Sequence, residues 1–213
     1  MSLVISVKNV TKIYGQQTVL DNISLTCETG KIYGLVGRNG SGKTVLLKCI
    51  CGLVQPTNGE ISVWGKCVGK DIDFPDNVGF IIEAPGFLPH ESGVANLKHL
   101  AAIRGKIETD EIRRSIELVG LDPDSKKKVG KYSLGMRQRL GIAQAIMEKP
   151  NLLILDEPMN GLDNQGVQHI RSVLKSLKEN GTTILLASHF KEDIDFLCDE
   201  VYQMDCGVLT RLQ

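Results

Sequence analysis

Residues 37–44 read Gly37-Arg38-Asn39-Gly40-Ser41-Gly42-Lys43-Thr44, a complete G-x-x-x-x-G-K-[ST] pattern. It limits the fold more than any other stretch, because it works only where a strand passes into a helix. Glycines let backbone N–H groups turn onto phosphate oxygens with no Cβ in the way. Lys43 carries a point charge suited to the β- and γ-phosphates, and the Thr44 hydroxyl is a ligand for Mg²⁺. The flanks supply the required setting. Lys31 to Val36 is an apolar, β-rich run ending at the loop. Thr44 to Cys51 predicts a helix with Leu46, Leu47 and Ile50 on one side and its positive end aimed at the loop.

A second signal is Leu152-Leu153-Ile154-Leu155-Asp156-Glu157-Pro158. The apolar run predicts a strand buried on both faces, as in a parallel sheet. Asp156 and Glu157 then stand at its carboxyl end, where open α/β sheets bind ligands. Asp156 can hold magnesium from its outer shell, while Glu157 faces another way and can polarise a water at the γ-phosphate.

The chain has 213 residues, enough for one large domain with a real core. Lys plus Arg number 25 and Asp plus Glu 25, and this balance argues against a general nucleic-acid binder. The one basic run, Lys126-Lys127-Lys128, reads as a solvated loop. No apolar stretch approaches the ~20 residues of a membrane span. The start lacks a signal-peptide pattern, so a membrane would be reached through a partner. The six cysteines form no C-x-x-C pair and mostly sit among apolar neighbours, as small hydrophobes in a reduced cytosolic compartment.

The first third is strand-rich: Leu3–Val10, Thr18–Cys27, Lys31–Val36 and Glu60–Trp64, with turns at residues 28–30 and 57–59. Strand Val78–Ile82 follows. From about Gly93 to Lys149 the spacing is helical: Leu97, Leu100 and Ala101, then Ile112, Ile116 and Val119, with Asp110 opening a helix and Gly120 closing it. Strand and helix alternate again from Asn151. The expected fold is a single α/β domain over 1–213, its core at 1–83 and 150–213 and a helical lobe inserted at about 84–149.

Tyr132-Ser133-Leu134-Gly135-Met136-Arg137-Gln138-Arg139-Leu140 opens the helix preceding the Asp156-Glu157 strand. It resembles the L-S-G-G-Q signature of the ATP-binding-cassette (ABC) ATPases. Other elements of that family follow in order: Tyr14 early, Asn160-Gly161-Leu162-Asp163 after the acids, and Ser188-His189 at the end of strand Thr182–Ala187. The resemblance implies a P-loop NTPase core with an N-terminal antiparallel β-subdomain and an inserted α-helical subdomain. It implies ATP and Mg²⁺ as ligands, Tyr14 stacking on adenine, and His189 as a switch near the γ-phosphate. It also implies a second copy of the chain, whose Ser133, Leu134, Gly135 and Met136 close over the opposite ATP while Asp163 helps to link the two. Ser133 fits a helix N-cap, which places its hydroxyl and the Gly135 backbone at a positive helix end. His90, His99 and His169 match nothing in the family and read as surface or packing residues.

One position departs from the common pattern. Most cassettes carry glutamine where the core passes to the helical lobe; here the residue is Glu83, within Ile81-Ile82-Glu83-Ala84-Pro85-Gly86-Phe87. A carboxylate there is a further candidate for the metal and the attacking water. This variant, with the Tyr-Ser-Leu-Gly-Met signature, is similar to the bacitracin-resistance and lantibiotic-immunity exporters. Those pair a cytoplasmic ATPase with a separate permease, implying an ABC-2-type membrane partner and a place on the inner face of the cell membrane. The alternative is a soluble cassette acting as a nucleotide switch on a non-membrane partner; retention of Glu157 and His189 weighs against a non-hydrolysing version.

Overall fold

The computed structural model describes residues 2–212; Met1 and Gln213, the ends of the expected domain, lie outside them. Alternating apolar side chains build a first, antiparallel sheet. β1 (Leu3–Tyr14) pairs with β2 (Gln17–Glu28) and with β4 (Asn58–Val63), and a two-residue β5 (Lys66–Cys67) extends the edge. β1 runs past the expected stop at Val10. The pairing continues because register shifts absorb the polar break at residues 8–12, where Asn9 adopts φ +51 and its Nδ2 donates to Asn22 Oδ1 at 3.0 Å. β4 starts at Asn58, inside the turn expected at 57–59, because Gly59 tolerates φ +88 within the strand.

The second sheet has the order β10-β9-β3-β8-β7-β6. Its members are β3 (Ile32–Val36), β6 (Val78–Ile81), β7 (Leu152–Asp156), β8 (Thr183–Ser188), β9 (Glu200–Asp205) and β10 (Val208–Arg211). All neighbours run parallel except β10, which is antiparallel to β9. Leu152 to Leu155 are wholly buried, as strands covered on both faces must be. Register decides where the chemistry falls. Val36 lies beside Ser188, and Asp156 beside Ala187, so three strand ends emerge along one edge.

Helix α1 (Lys43–Ile50) is wedged between the two sheets, with Leu46, Leu47 and Ile50 fully buried in a core shared with Tyr33, Ile61 and Ile154. Burying each such aliphatic side chain contributes about 1.5–3 kcal/mol. A second core forms on the other face, beneath α2 (Gly93–Arg104), α3 (Thr109–Leu118) and α4 (Leu134–Ile146), all inserted between β6 and β7, and α5 (Asn164–Glu179) and α6 (Lys191–Leu197). Leu97, Ala101, Ile112, Ile116 and Val119 are buried there. α3 opens one turn-position earlier than Asp110: Glu108 is its N-cap, in a reciprocal capping box with Glu111, which leaves Asp110 in the first turn. All six cysteines are free, and Lys126, Lys127 and Lys128 are exposed. Among the described residues no helix is long and apolar enough to cross a membrane.

Candidate nucleotide site

The loop after β3 turns into α1 through Gly42, whose φ of +111 and whose missing Cβ, which would stand 2.8 Å from the Val19 carbonyl oxygen, leave glycine as the residue that fits. Lys43 follows with its side chain drawn back over the loop. Its Nζ donates to the Gly37 carbonyl at 2.6 Å and the Arg38 carbonyl at 3.2 Å, and lies 3.9 Å from Glu157 Oε1. A cleft of about 350 Å³ opens here, lined by Val19, Asn39, Gly40, Lys43, Thr44 and Asp156. Val19 was not legible beforehand, since a valine in a strand carries no local sign that the sheet folds it against a loop.

The two acids have separate partners. Thr44 Oγ1 donates to Asp156 Oδ2 at 2.6 Å, while Asp156 Oδ1 is buried without a partner. Burial lifts the Asp156 carboxyl above the usual range, the Thr44 hydrogen bond opposes this, and the Glu157 charge adds to it. Glu157 sits at φ +49, outside the strand's conformation, so its side chain turns away from that of Asp156. The turn is held by Glu157 N donating to Ala187 O at 2.9 Å and by Gln138 Nε2 donating to the Glu157 and Pro158 carbonyls at 3.2 and 3.1 Å. Gln138 is a support that the signature motif alone did not single out. Glu157 Oε2 lies 2.8 Å from His189 Nδ1, which donates when that nitrogen carries the proton.

Four buried side-chain polar atoms lack a hydrogen-bond partner among the described residues, and three of them, Ser41 Oγ, Asp156 Oδ1 and Glu157 Oε1, belong to this loop and these acids. Each such atom costs about 1–3 kcal/mol unless a ligand satisfies it. Their concentration marks a site shaped for something polar. A hydroxyl and a carboxylate fit a hard cation that takes oxygen ligands, with phosphates completing its shell. Among the described residues no group of three or more His, Cys, Asp or Glu forms a protein-only metal cage.

The signature segment lies elsewhere. Ser133 caps α4, accepting from Met136 N at 3.2 Å, and Gly135 sits so close to the Gly161 carbonyl that a Cβ would stand 2.7 Å from it. Leu134 is 66% exposed, and Met136 Sδ lies 3.8 Å from Lys127 Nζ. Ser133, Gly135 and Met136 line a second cleft of about 540 Å³ with Arg139, Gly161 and Asp163, and no residue lines both clefts. Asp163 Oδ1 caps α5 by accepting from Gly166 N at 2.9 Å and stands 3.7 Å from Arg139 Nη2.

Tyr14, Glu83, Arg38 and His189 do not line the loop cleft, whereas Asn39 lines both it and its neighbour. Tyr14 ends β1 with its ring exposed and Lys12 Nζ 4.8 Å from the ring centroid. Glu83 follows β6 at φ +62 and pairs with Lys48 Nζ at 2.6 Å. Arg38 and Asn39 face His189 across a shallow neighbouring cleft. Of the unmatched histidines, His169 Nε2 lies 2.8 Å from the Leu118 carbonyl, while His90 and His99 are on the surface.

Comparison with known proteins agrees with this geometry. The family model described as ABC transporter matches residues 20–160. An uncharacterized ABC transporter ATP-binding protein of Bacillus subtilis, YybJ, is 50% identical over 205 residues, covering 96% of this chain and 94% of that protein. The bacitracin transport ATP-binding protein BcrA of Enterococcus faecalis is 46% identical over 212 residues, 99% of this chain and 69% of its own length. Among solved structures, the dimeric post-hydrolysis state of the cassette MJ0796 with ADP and Pi superposes with a TM-score of 0.87 at 24% identity, covering 98% and 99% of the two chains. The chain belongs to the ABC transporter family, as an ATP-binding and ATP-hydrolysing subunit.

Proposed function

We propose that this chain powers a separate ABC-2-type permease that exports a peptide antibiotic or similar amphiphile, working as a dimer on the inner face of the membrane. The observation that carries the chemistry is the convergence of Ser41 Oγ, Asp156 Oδ1 and Glu157 Oε1, three buried polar atoms with no hydrogen-bond partner among the described residues, on the phosphate-loop cleft. Backbone N–H groups of residues 37–44 and Lys43 hold the triphosphate. Thr44 would hold a magnesium ion directly and Asp156 would hold it from its outer shell, with Glu83 as a further candidate; the ion would supply neutralisation of the charge on the transferred phosphoryl group. Glu157 accepts a proton from the attacking water, and His189, whose Nδ1 lies 2.8 Å from Glu157 Oε2, orients that carboxylate. Tyr14 stacks on the adenine.

Ser133, Leu134, Gly135 and Met136 lie in a cleft separate from their own loop. We therefore assign them to the ATP of a second copy, with Asp163 at the junction between the two. The positive end of α4 suits a γ-phosphate arriving from outside. Similarity to BcrA, named for bacitracin transport, supports the export reading. The test is co-expression in a sensitive bacterium with a candidate permease, any polytopic membrane protein found encoded beside this chain. Resistance to bacitracin or a lantibiotic is the expected result, lost with Lys43→Ala; equal sensitivity with and without the pair refutes peptide-antibiotic export.

A further inference from the structure

Glu83 does not stand free at the lobe junction. Its Oε1 accepts from Lys48 Nζ at 2.6 Å, although the carboxylate is 64% exposed and the lysine 27%. The lysine's place matters. Thr44 and Lys48 are four residues apart on α1, so they stack on one helix face with about 5–6 Å between Cβ atoms. Thr44 in turn binds Asp156. Glu83 is therefore tied, through Lys48, to the same face of α1 that carries the Thr44 hydroxyl. Its negative charge already reaches Asp156, whose proton affinity it raises slightly.

The segment beyond Glu83 is mechanically placed. Glu83 itself adopts φ +62, a conformation that a non-glycine residue keeps only when its surroundings hold it. Two residues later Pro85 packs on α4, its Cγ 2.6 Å from where a Cβ on Gly141 would stand. α4 is the helix whose N-cap is Ser133. Glu83 is thus two residues from the contact that the junction makes with the signature helix.

We propose that Lys48 is the counter-ion of Glu83 and its competitor for magnesium: the carboxylate rests on Lys48 without nucleotide and exchanges that partner for the metal when Mg²⁺–ATP enters. Lys48 is in this sense a positioning residue. It makes a charged glutamate tolerable where the common pattern has a neutral amide, by neutralising it beside Asp156 and Glu157. This inference rests on the assignment of Glu83 to the metal made above.

The test is binding of a fluorescent ATP analogue as a function of Mg²⁺, in five purified proteins: wild type, Lys48→Met, Lys48→Arg, Glu83→Gln and the Lys48→Met/Glu83→Gln double variant. Methionine keeps the packed stem and removes the charge. Lys48→Met is expected to lower the Mg²⁺ midpoint about two- to fivefold, the worth of a partly exposed ion pair. Glu83→Gln should raise the midpoint, and adding Lys48→Met to it should change nothing further. Lys48→Arg, which restores the pair, should return the midpoint to the wild-type value. A midpoint unmoved by Lys48→Met while Glu83→Gln shifts it overturns the exchange and leaves Glu83 on the metal. A midpoint unmoved by Glu83→Gln in either background removes Glu83 from the metal altogether. An equal shift from Lys48→Met with Gln at position 83 reduces Lys48 to a general electrostatic effect and also overturns the exchange.

Discussion

Replacing Glu157 by glutamine separates chemistry from binding. The amide keeps the side chain's size and can still meet His189, now 2.8 Å from the carboxylate, but it cannot take a proton. Loss of a positioned base slows turnover about 10²- to 10⁴-fold. At 1.36 kcal/mol per factor of ten this is about 2.7–5.4 kcal/mol in the barrier. Binding should survive. Lys43 stays anchored on the Gly37 and Arg38 carbonyls, and its contact with Glu157, at 3.9 Å, is too long to be a main support. Stability should change by less than about 1 kcal/mol, since the weak ion pair lost is offset by removal of a partly buried charge whose Oε1 has no hydrogen-bond partner among the described residues. Phosphate release, nucleotide affinity and thermal midpoint measured on one preparation give all three quantities. His189→Ala should slow turnover less, and adding it to Glu157→Gln should cost little more, because the two side chains act as one unit. Turnover in Glu157→Gln within about threefold of wild type would falsify the assignment of the base.

Asp156→Asn should stabilise the nucleotide-free protein by about 1 kcal/mol, since it removes a buried, half-unpaired charge, while abolishing the Mg²⁺ enhancement of ATP affinity; urea unfolding with and without Mg²⁺–ATP reads both, and unchanged Mg²⁺ enhancement would rule Asp156 out. Ser133→Arg should leave Glu157→Gln protein monomeric under saturating Mg²⁺–ATP, where Glu157→Gln alone sediments as a dimer, because a bulky cation covers the α4 N-terminus; a Ser133→Arg dimer would contradict the cross-subunit contact. Burial pushes the Cys51 and Cys198 thiols up to about 12 and Cys49 to about 11, so at pH 8 they stay protonated and inert. A thiol reagent should therefore label exposed Cys206 first and Cys67 slowly, with the others reacting only after denaturation; early labelling of Cys49 or Cys51 would show that the α1 core opens.

The local chemistry was readable because it is written in short, ordered runs. The phosphate loop, the apolar strand ending in Asp156 and the Ser133 cap each follow from neighbouring residues alone. Long-range placement was not. Val19 lines the loop cleft only because β2 crosses beneath it, and Gln138 supports Glu157 only because α4 packs against the end of β7. Lys48 is an ordinary surface lysine in sequence; it becomes a partner for Glu83 when β6 ends beside α1. The extension of β1 to Tyr14 was missed because its polar residues break the alternation that marks a strand, and register shifts repair the pairing in three dimensions. Asp110 attracted the helix start that Glu108 takes, since a glutamate is a weaker cap on its own and gains here from its exchange with Glu111.

The most direct measurement is steady-state phosphate release by the purified chain as Mg²⁺ is titrated, beside Lys43→Ala. Hydrolysis should require Mg²⁺ and disappear in Lys43→Ala together with nucleotide binding, because among the described residues Lys43 is the one cationic side chain that lines the loop cleft to neutralise the β- and γ-phosphates. Hydrolysis that persists in chelator, or that Lys43→Ala retains at the wild-type rate, would contradict the placement of ATP chemistry in this loop.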